Sequence, residues 1–228
     1  MLRPSKIRRF AFLLFVAVSF GLGLFNTSAQ AQSRGAGAPG VFDYYVLALS
    51  WSPSYCATDG QNDTGPQCTS GRPYSFIVHG LWPQYERGWP EFCAGPERVR
   101  VKRSTISQVF DLMPSPGLIR HTWNKHGTCS GLDERLYFET LREAREAVRI
   151  PPAFAGIDRA VTVDPEAVET AFRTANPGLP PDAIHVTCGR RFLREVRICM
   201  TKSLHFRSCD ELERRTCQKT SVVLPPVR

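Results

Sequence analysis

The chain has 228 residues, 42% of them hydrophobic and 22% charged, and its formal net charge at pH 7 is +8. This length holds one good-sized domain or two small ones, which excludes a large multidomain protein. Four basic residues and no acidic residue lie in the first 31 positions, so the rest of the chain carries only +4 and indicates a polyanionic partner weakly.

The first 31 residues have the pattern of a secretory signal peptide. A basic start precedes an apolar run over residues 10–25, and Ala29 and Ala31 form a small-x-small cleavage site. Because this run is marginal for a bilayer core of about 30 Å, cleavage is favoured over an uncleaved anchor helix. We therefore expect residues 32–228 to form a single mature domain that is periplasmic or secreted and not held at a membrane.

Apolar runs and amphipathic segments predict the secondary structure of the mature chain. Strands are predicted over residues 44–51, 74–80, 183–188 and 194–200. Helices are predicted over 104–113, from the Ser115 cap through His126, over 133–148, and from the Asp164 cap to Asn176. In the third helix, Leu136, Leu141 and Val148 lie on or near one face. This order predicts an α+β domain with helices packed on one mostly antiparallel sheet.

Eight cysteines remain after the signal segment, an even number in a chain bound for an oxidising compartment, which predicts disulfides. A structural zinc site is disfavoured, because no cysteine pair has the CxxC spacing and no histidine pair follows at zinc-finger distance. Eight cysteines can form four bridges in about 105 ways, so their spacing alone does not choose the pairing.

Two short segments concentrate the candidate catalytic residues. The first, "FIVHGLWP" (76–83), contains His79, and the second, "HTWNKHGTC" (121–129), lies at the end of a predicted helix. His121 and Lys125 are four residues apart, as are Thr122 and His126, so two adjacent rows project toward nearly the same side. Their polar groups are therefore expected to be gathered at one place.

Two imidazoles that face one phosphodiester are sufficient to cleave RNA without a metal. One takes the proton of the 2′-hydroxyl and the other protonates the departing 5′-oxygen, while a lysine stabilises the developing negative charge. A glycine follows each histidine, at Gly80 and Gly127, where it either leaves room for the substrate backbone or marks a turn or helix end. His185 and His205 lie outside these segments and are expected to be surface or hydrogen-bonded core residues.

Both segments resemble the active-site segments of the ribonuclease T2 family of secreted, transferase-type RNases. The resemblance extends from "FDYYVLALSWSPSYC" (42–56) to "REVRICMTKSLHFRSC" (194–209), nearly the whole mature chain. It implies a ribonuclease T2-like fold and an endoribonuclease that cleaves single-stranded RNA through a 2′,3′-cyclic phosphate. No cofactor or metal is expected, DNA is not expected to be cut, and the protein is expected to be a monomer.

The resemblance also implies a role for each matching residue. His126 would be the general base on the 2′-hydroxyl and His79 the general acid for the leaving group. His121 and Lys125 would hold the phosphate and stabilise its charge. Trp82 would form part of a wall for a base, since aromatic faces stack on the bases of single-stranded RNA. Trp123 is instead expected to pack in the core.

The family pattern further implies a disulfide pairing. The pairs are Cys56–Cys68, Cys93–Cys129, Cys188–Cys217 and Cys199–Cys209.

Thr122 departs from the family pattern, in which this position usually carries glutamate. A hydroxyl carries no negative charge and does not favour a protonated imidazole by charge attraction. Activity is expected to persist at a lower level, since loss of one electrostatic helper costs about 10²- to 10³-fold in rate. Alternatively, another carboxylate such as Glu91 or Glu134 reaches the site, or the protein binds RNA with little turnover.

Two rival functions remain open at this point. One is an RNA-binding or toxin-like protein that retains the fold without efficient catalysis, which Thr122 favours. The other is a metal-dependent nuclease or phosphoesterase, which is disfavoured because neither histidine segment contains an aspartate or glutamate. Base preference is not determined, although Gln84 stands where a side chain is able to contact a base.

Overall fold

Four antiparallel strands form the central sheet. The computed structural model describes residues 37–95 and 99–227, so the predicted signal peptide lies outside the described residues. The strands are β1 (Tyr44–Trp51), β2 (Phe76–Gln84), β3 (Val161–Val163), β4 (Ile184–Cys188), β5 (Leu193–Met200) and β6 (Val222–Leu224). The central sheet has the order β2-β1-β5-β4, and β3 pairs antiparallel with β6 in a second sheet. The predicted α+β class and antiparallel sheet are confirmed.

All four predicted strands are present, but the second extends further than expected. It continues through Gln84 instead of ending at Gly80, so His79 lies in the interior of the strand. The sequence pattern missed β3 and β6, each only three residues long. Short strands of this kind carry too little periodicity to be recognised.

Strand β1 is buried on both faces, which explains its nearly continuous apolar sequence. Tyr45, Leu47, Leu49 and Trp51 alternate onto the face that packs in the main core. The opposite face contributes to a smaller cluster that includes Tyr44. A strand buried on both sides is held rigidly by its neighbours, and this strand lies between the two that carry the candidate site.

The longer helices begin where their caps predict. The helices are α1 (Ser52–Ala57), α2 (Pro66–Thr69), α3 (Arg103–Val109), α4 (Pro116–Lys125), α5 (Glu134–Glu146), α6 (Pro165–Ala175) and α7 (Asp210–Glu213). Ser115 Oγ accepts from Leu118 N at 3.3 Å, and Asp164 Oδ1 accepts from Glu166 N at 2.9 Å. Among the described residues, no helix has both the length and the apolar character to cross a membrane.

The sequence pattern gave two helices incorrectly in detail. Helix α3 ends at Val109, four residues before the predicted end at Met113. In α5 the buried residues are Tyr137, Phe138, Leu141 and Ala144, whereas Leu136 is 39% exposed, so its expected place on the packed face is wrong. The aromatic pair takes the core position because its two rings pack against Trp123.

The outer edge of β2 is covered by groups from the helical layer. Val78 N donates to Leu112 O at 2.9 Å, and Tyr137 Oη donates to Leu81 O at 2.7 Å. Thr122 Oγ1, on α4, donates to His79 O at 2.9 Å. Edge strands leave unpaired backbone groups, so these contacts both protect the edge and attach the strand to the helices.

All four disulfides that the family pattern implied are confirmed, and no cysteine is free among the described residues. Cys93–Cys129 joins the segment after β2 to the segment after α4. Cys199–Cys209 anchors the end of β5 to the start of α7. The first bridge therefore lies next to β2 and α4, which carry the histidine segments, and the second lies next to β5.

Candidate active site

A β-bulge in β2 positions His79. The register between β1 and β2 passes from Ala48 opposite Gly80 to Leu49 opposite Val78, which leaves His79 as the extra residue without a partner on β1. Bulges bend a strand and change the direction of its side chains. The side chain of His79 is 35% exposed, in contrast to the buried apolar residues that precede it.

The bulge also reverses the alternation of side chains along β2. Val78 and Leu81 both face the main core, although they are three residues apart. His79 and Trp82 consequently share the opposite face, and their ring centroids are 5.3 Å apart in an edge-on contact. Without the extra residue, the two rings would point to opposite faces of the sheet.

Small residues on the middle strand allow side chains from β2 and β5 to meet. Ala48 and Ser50 alternate onto the His79 face of β1, where larger side chains would separate the neighbours. Glu195 Oε1, from β5, accepts a hydrogen bond from His79 Nδ1 and one from Ser50 Oγ at 3.4 Å. Glu195 Oε2 accepts from Arg197 Nε at 2.9 Å and Arg197 Nη2 at 2.7 Å.

The Glu195 carboxylate remains charged over the ordinary pH range. Burial alone would raise its pKa, since the residue is only 7% exposed. The hydrogen bond and charge of His79, together with those of Arg197, outweigh burial and lower the pKa of Glu195 to about 2. A fixed negative charge therefore lies directly against the first histidine.

Helix α4 contributes the second group of candidate residues. His121 is exposed and lies on the wall of the site, and the Lys125 ammonium lies 3.5 Å from Glu91 Oε2. Thr122 is buried and its hydroxyl is directed at the backbone of β2, so it does not face the same space. Of the two predicted rows, only the row of His121 and Lys125 opens outward, while His126 reaches the site from a buried position.

His126 lies at the end of α4 and stacks on the indole of Trp82, with ring centroids 5.1 Å apart and 27° between the planes. The Arg197 guanidinium carbon lies 5.1 Å from the centroid of the same indole. His126 Nδ1 is buried and has no hydrogen-bond partner within the described part of the chain. Burial, and after it the positive charges of Lys125 and His79, lower the pKa of His126 well below its usual value.

Two cavities meet at His79 and His121. The smaller, about 240 Å³, is also lined by Trp82, Lys125 and His126, with Gln84 and Trp89 on its wall. The larger, about 730 Å³, is lined by Glu195 and by the hairpin between β4 and β5. Of the five polar side chains that the sequence singled out, four line the smaller cavity: His79, His121, Lys125 and His126. The fifth, Thr122, does not line it.

Comparison with known proteins shows to which family this fold and site are related. The Ribonuclease T2 family model matches residues 42–209. The chain belongs to the ribonuclease T2 family. A ribonuclease of Aeromonas hydrophila is 35% identical to this T2 ribonuclease over 211 residues, which cover 90% of this chain and 93% of that protein. Membership of the family makes the chain an endoribonuclease.

Solved structures agree with the T2 fold. Trichomaglin, described as a novel S-like ribonuclease, matches with a TM-score of 0.65 at 23% identity, covering 82% of this chain and 99% of that chain. RNase NT in complex with 5′-AMP matches with a TM-score of 0.58 at 25% identity, covering 81% of this chain and 98% of that chain. The resemblance in fold therefore extends over nearly the whole of those enzymes.

The two glycines of the T2 ribonuclease segments serve internal packing. A Cβ atom at Gly80 would overlap the indole of Trp82, and one at Gly127 would overlap the ring of Trp123. Gly127 directly follows the C-cap His126 of α4, so the expected helix end is confirmed there, and at both glycines the neighbouring ring gives a steric reason. Each glycine makes room for the tryptophan of its own segment. Trp123 is buried against Tyr137, as expected for a core residue.

The remaining residues that the sequence offered for the site of this T2 ribonuclease differ in whether they reach it. Glu134 accepts bonds from Thr105 Oγ1 and Lys102 N and lines neither cavity, so it does not replace the family glutamate. Glu91 reaches Lys125. His185 is buried and bonded to Thr216 Oγ1 at 2.9 Å, which confirms its structural role.

His205 is exposed, as expected of a histidine outside the site.

Sequence reasoning missed Glu195. The available signal was the alternation in "REVRICM", which places Glu195 and Arg197 on the same face of one strand. Across residues 37–95 and 99–227, no group of three or more His, Cys, Asp and Glu side chains is arranged to hold a metal ion.

Proposed function

We propose that this T2-family endoribonuclease cleaves single-stranded RNA by metal-independent transesterification through a 2′,3′-cyclic phosphate. One observation carries the proposal: two histidines border one cavity in contrasting surroundings. His126 is buried and, among the described residues, has no acceptor for Nδ1, whereas His79 is partly exposed and bonded to a carboxylate. Catalysis by an acid and a base requires this kind of difference.

His126 is the proposed general base. Its lowered pKa keeps the imidazole neutral, and only a neutral imidazole is able to accept the proton of the 2′-hydroxyl. Protonation would place the imidazolium charge in a buried ring whose Nδ1 has no hydrogen-bond partner among the described residues, which disfavours the charged form. The deprotonated 2′-oxygen then attacks phosphorus to form the cyclic phosphate.

His79 is the proposed general acid, which gives its proton to the departing 5′-oxygen. Its position between the two cavities suits this role, because the nucleosides on either side of the scissile phosphate would then occupy one cavity each. His121 and Lys125 are the proposed phosphate ligands, with positive charge directed at the oxygens where negative charge develops.

Nucleotide recognition is proposed to involve Trp82. Part of its indole is occupied by His126 and Arg197, and the residue also lines the smaller cavity together with Gln84. The complex of RNase NT with 5′-AMP supports nucleotide binding in this fold. This cavity wall would also discriminate between bases. DNA is expected not to be cut, because it lacks the 2′-hydroxyl.

The proposal includes an oxidising compartment. Four disulfides and the signal-peptide pattern support export to the periplasm or the medium, where the mature chain would act as a monomer.

The decisive experiment is chromatography of dinucleoside monophosphates digested in excess chelator. We expect a nucleoside 2′,3′-cyclic phosphate as the first product, at a rate that chelation does not change. His126→Ala and His79→Ala should each lower kcat by about 10²- to 10⁴-fold, the usual contribution of general acid or base catalysis. Absence of turnover above the His126→Ala level, or loss of activity in chelator, would contradict the proposal.

A second candidate is an RNA-binding member of the family with little turnover. The direction of Thr122, whose hydroxyl bonds to the backbone of β2, favours it because no carboxylate replaces the family glutamate on α4. RNA affinity without a cyclic product in the same digest would identify this function.

A further inference from the structure

Side chains from three strands form a hydrogen-bonded chain that ends at His79. It runs from Arg197 to Glu195 and from there to His79, with Ser50 beside the carboxylate. Glu195 is 7% exposed, and a buried carboxylate is costly unless charged partners and hydrogen bonds compensate it. Its position in the central sheet, bonded to His79, indicates a function at that histidine.

The geometry of this chain restricts the His79 ring. Two N–H groups of Arg197 bind Oε2 of Glu195, which fixes the plane of the carboxylate and leaves Oε1 for His79 Nδ1. Because Nδ1 is engaged, only Nε2 of His79 is available to a substrate. A hydrogen bond on one ring nitrogen in this way selects both the orientation and the tautomer of an imidazole.

We propose that Glu195, held by Arg197, is a positioning residue that directs His79 Nε2 toward the bound phosphate, where His79 donates to the leaving 5′-oxygen. The inference rests on the proposed function and adds to it the group that orients His79.

Charged or titratable side chains approach His79 from two elements besides β2. Lys125, His121 and His126 approach from α4, and Arg197 approaches from β5. Glu195 is hydrogen-bonded to His79 directly, whereas no carboxylate is bonded to His126 Nδ1 among the described residues. The two imidazoles therefore differ in this hydrogen bond, which orients His79 alone.

The test compares two substrates of the same nucleoside with different leaving groups. A dinucleoside monophosphate needs a proton on its leaving oxygen, whereas a nucleoside 3′-(4-nitrophenyl phosphate) releases a stable phenolate without one. Glu195→Gln should lower kcat on the dinucleotide by about 10- to 100-fold, as loss of a group that orients an imidazole does elsewhere. On the nitrophenyl substrate its kcat should remain within about 3-fold of wild type, and His79→Ala should show the same selectivity more strongly.

Glu169→Gln is the matched control, because Glu169 is a partly buried carboxylate that accepts from Val186 N on β4 and lines neither cavity. It should leave both rates unchanged. Arg197→Lys keeps the charge but removes the paired N–H groups, and should give a smaller loss with the same selectivity.

Equal losses of Glu195→Gln on both substrates, or no loss on the dinucleotide, would overturn the inference while leaving the proposed function intact. Should the wild type form no cyclic product from either substrate, the proposed function itself fails. Folded variants are verified by near-UV circular dichroism, and the Arg197→Lys result decides the matter if Glu195→Gln does not fold.

Discussion

At the scale of single residues, His126 shows how burial prepares a base. The residue is 7% exposed, its ring stacks on Trp82, and Nδ1 has no acceptor in the described part of the chain. Desolvation disfavours the imidazolium, and the nearby Lys125 ammonium disfavours it further. The neutral form should therefore persist to a pH well below the usual pKa of histidine, about 6.5.

A pH–rate profile tests this account of His126. In the wild type, the rise of kcat/KM with pH should lie well below about pH 6.5, because the free base is already present there. Lys125→Gln removes a neighbouring positive charge, so protonation of His126 becomes easier, its pKa rises, and the rising limb moves to higher pH. The Lys219→Gln variant, at an exposed position, should leave the limb in place. A limb that stays or moves to lower pH in Lys125→Gln contradicts the electrostatic coupling, whatever the drop in maximal rate.

At the scale of secondary structure, local patterns predicted most of the elements but not the bulge. Ser115 and Asp164 predicted the starts of their helices correctly, because an N-cap bonds to backbone groups only two or three residues further along the chain. The bulge at His79 depends on how β1 pairs with β2, which is decided by residues about 30 positions away in the chain. The sequence therefore predicted a strand that ends near His79, where the structure has one that continues and turns its side chain.

The hydrogen bond from Thr122 to His79 O joins α4 to this bulge, and its removal is a test at the same scale. Thr122→Val keeps the shape but leaves a backbone carbonyl unpaired, which should cost about 1–3 kcal/mol of unfolding free energy. We also expect kcat to fall, because His79 loses the contact that fixes its backbone. Thr122→Ser retains the donor and is the control; denaturant unfolding with intact disulfides measures both variants. Equal stability of Thr122→Val and wild type would show that the bond does not hold the bulge.

At the scale of the whole molecule, the sequence predicted which histidine and lysine side chains share a cavity, but not which residue bonds to His79. His79, His121, Lys125 and His126 line one cavity, as the two segments led us to expect, although their catalytic roles stay predictions. Glu195 was not found, because its contact with His79 joins residues 116 positions apart through the pairing of two strands with β1. Disulfide pairing was likewise beyond spacing alone, and the family pattern supplied it.

The distribution of charge extends the site beyond the reacting phosphate. The hairpin between β4 and β5 places the exposed side chains of Arg190 and Arg191 on the wall of the larger cavity, next to Arg194, which pairs with Asp59 at 2.5 Å. Basic side chains along a groove follow the phosphates of a single strand without reading its sequence. A longer RNA therefore has contacts here that a dinucleotide lacks.

This hairpin predicts that substrate length and salt act together. Arg190→Gln/Arg191→Gln should raise KM for an oligonucleotide several-fold and change KM for the dinucleotide far less, because a dinucleoside monophosphate has no phosphate beyond the scissile one for these arginines to bind. The slope of log(kcat/KM) against log[salt] for the oligonucleotide should become shallower by about 1.4, given roughly 0.7 for each of the two phosphate contacts on a single strand. Arg135→Gln/Arg159→Gln removes the same charge from exposed positions outside both cavities and should change neither quantity. If the two double variants behave alike, the hairpin contributes only net charge and the path of the RNA lies elsewhere.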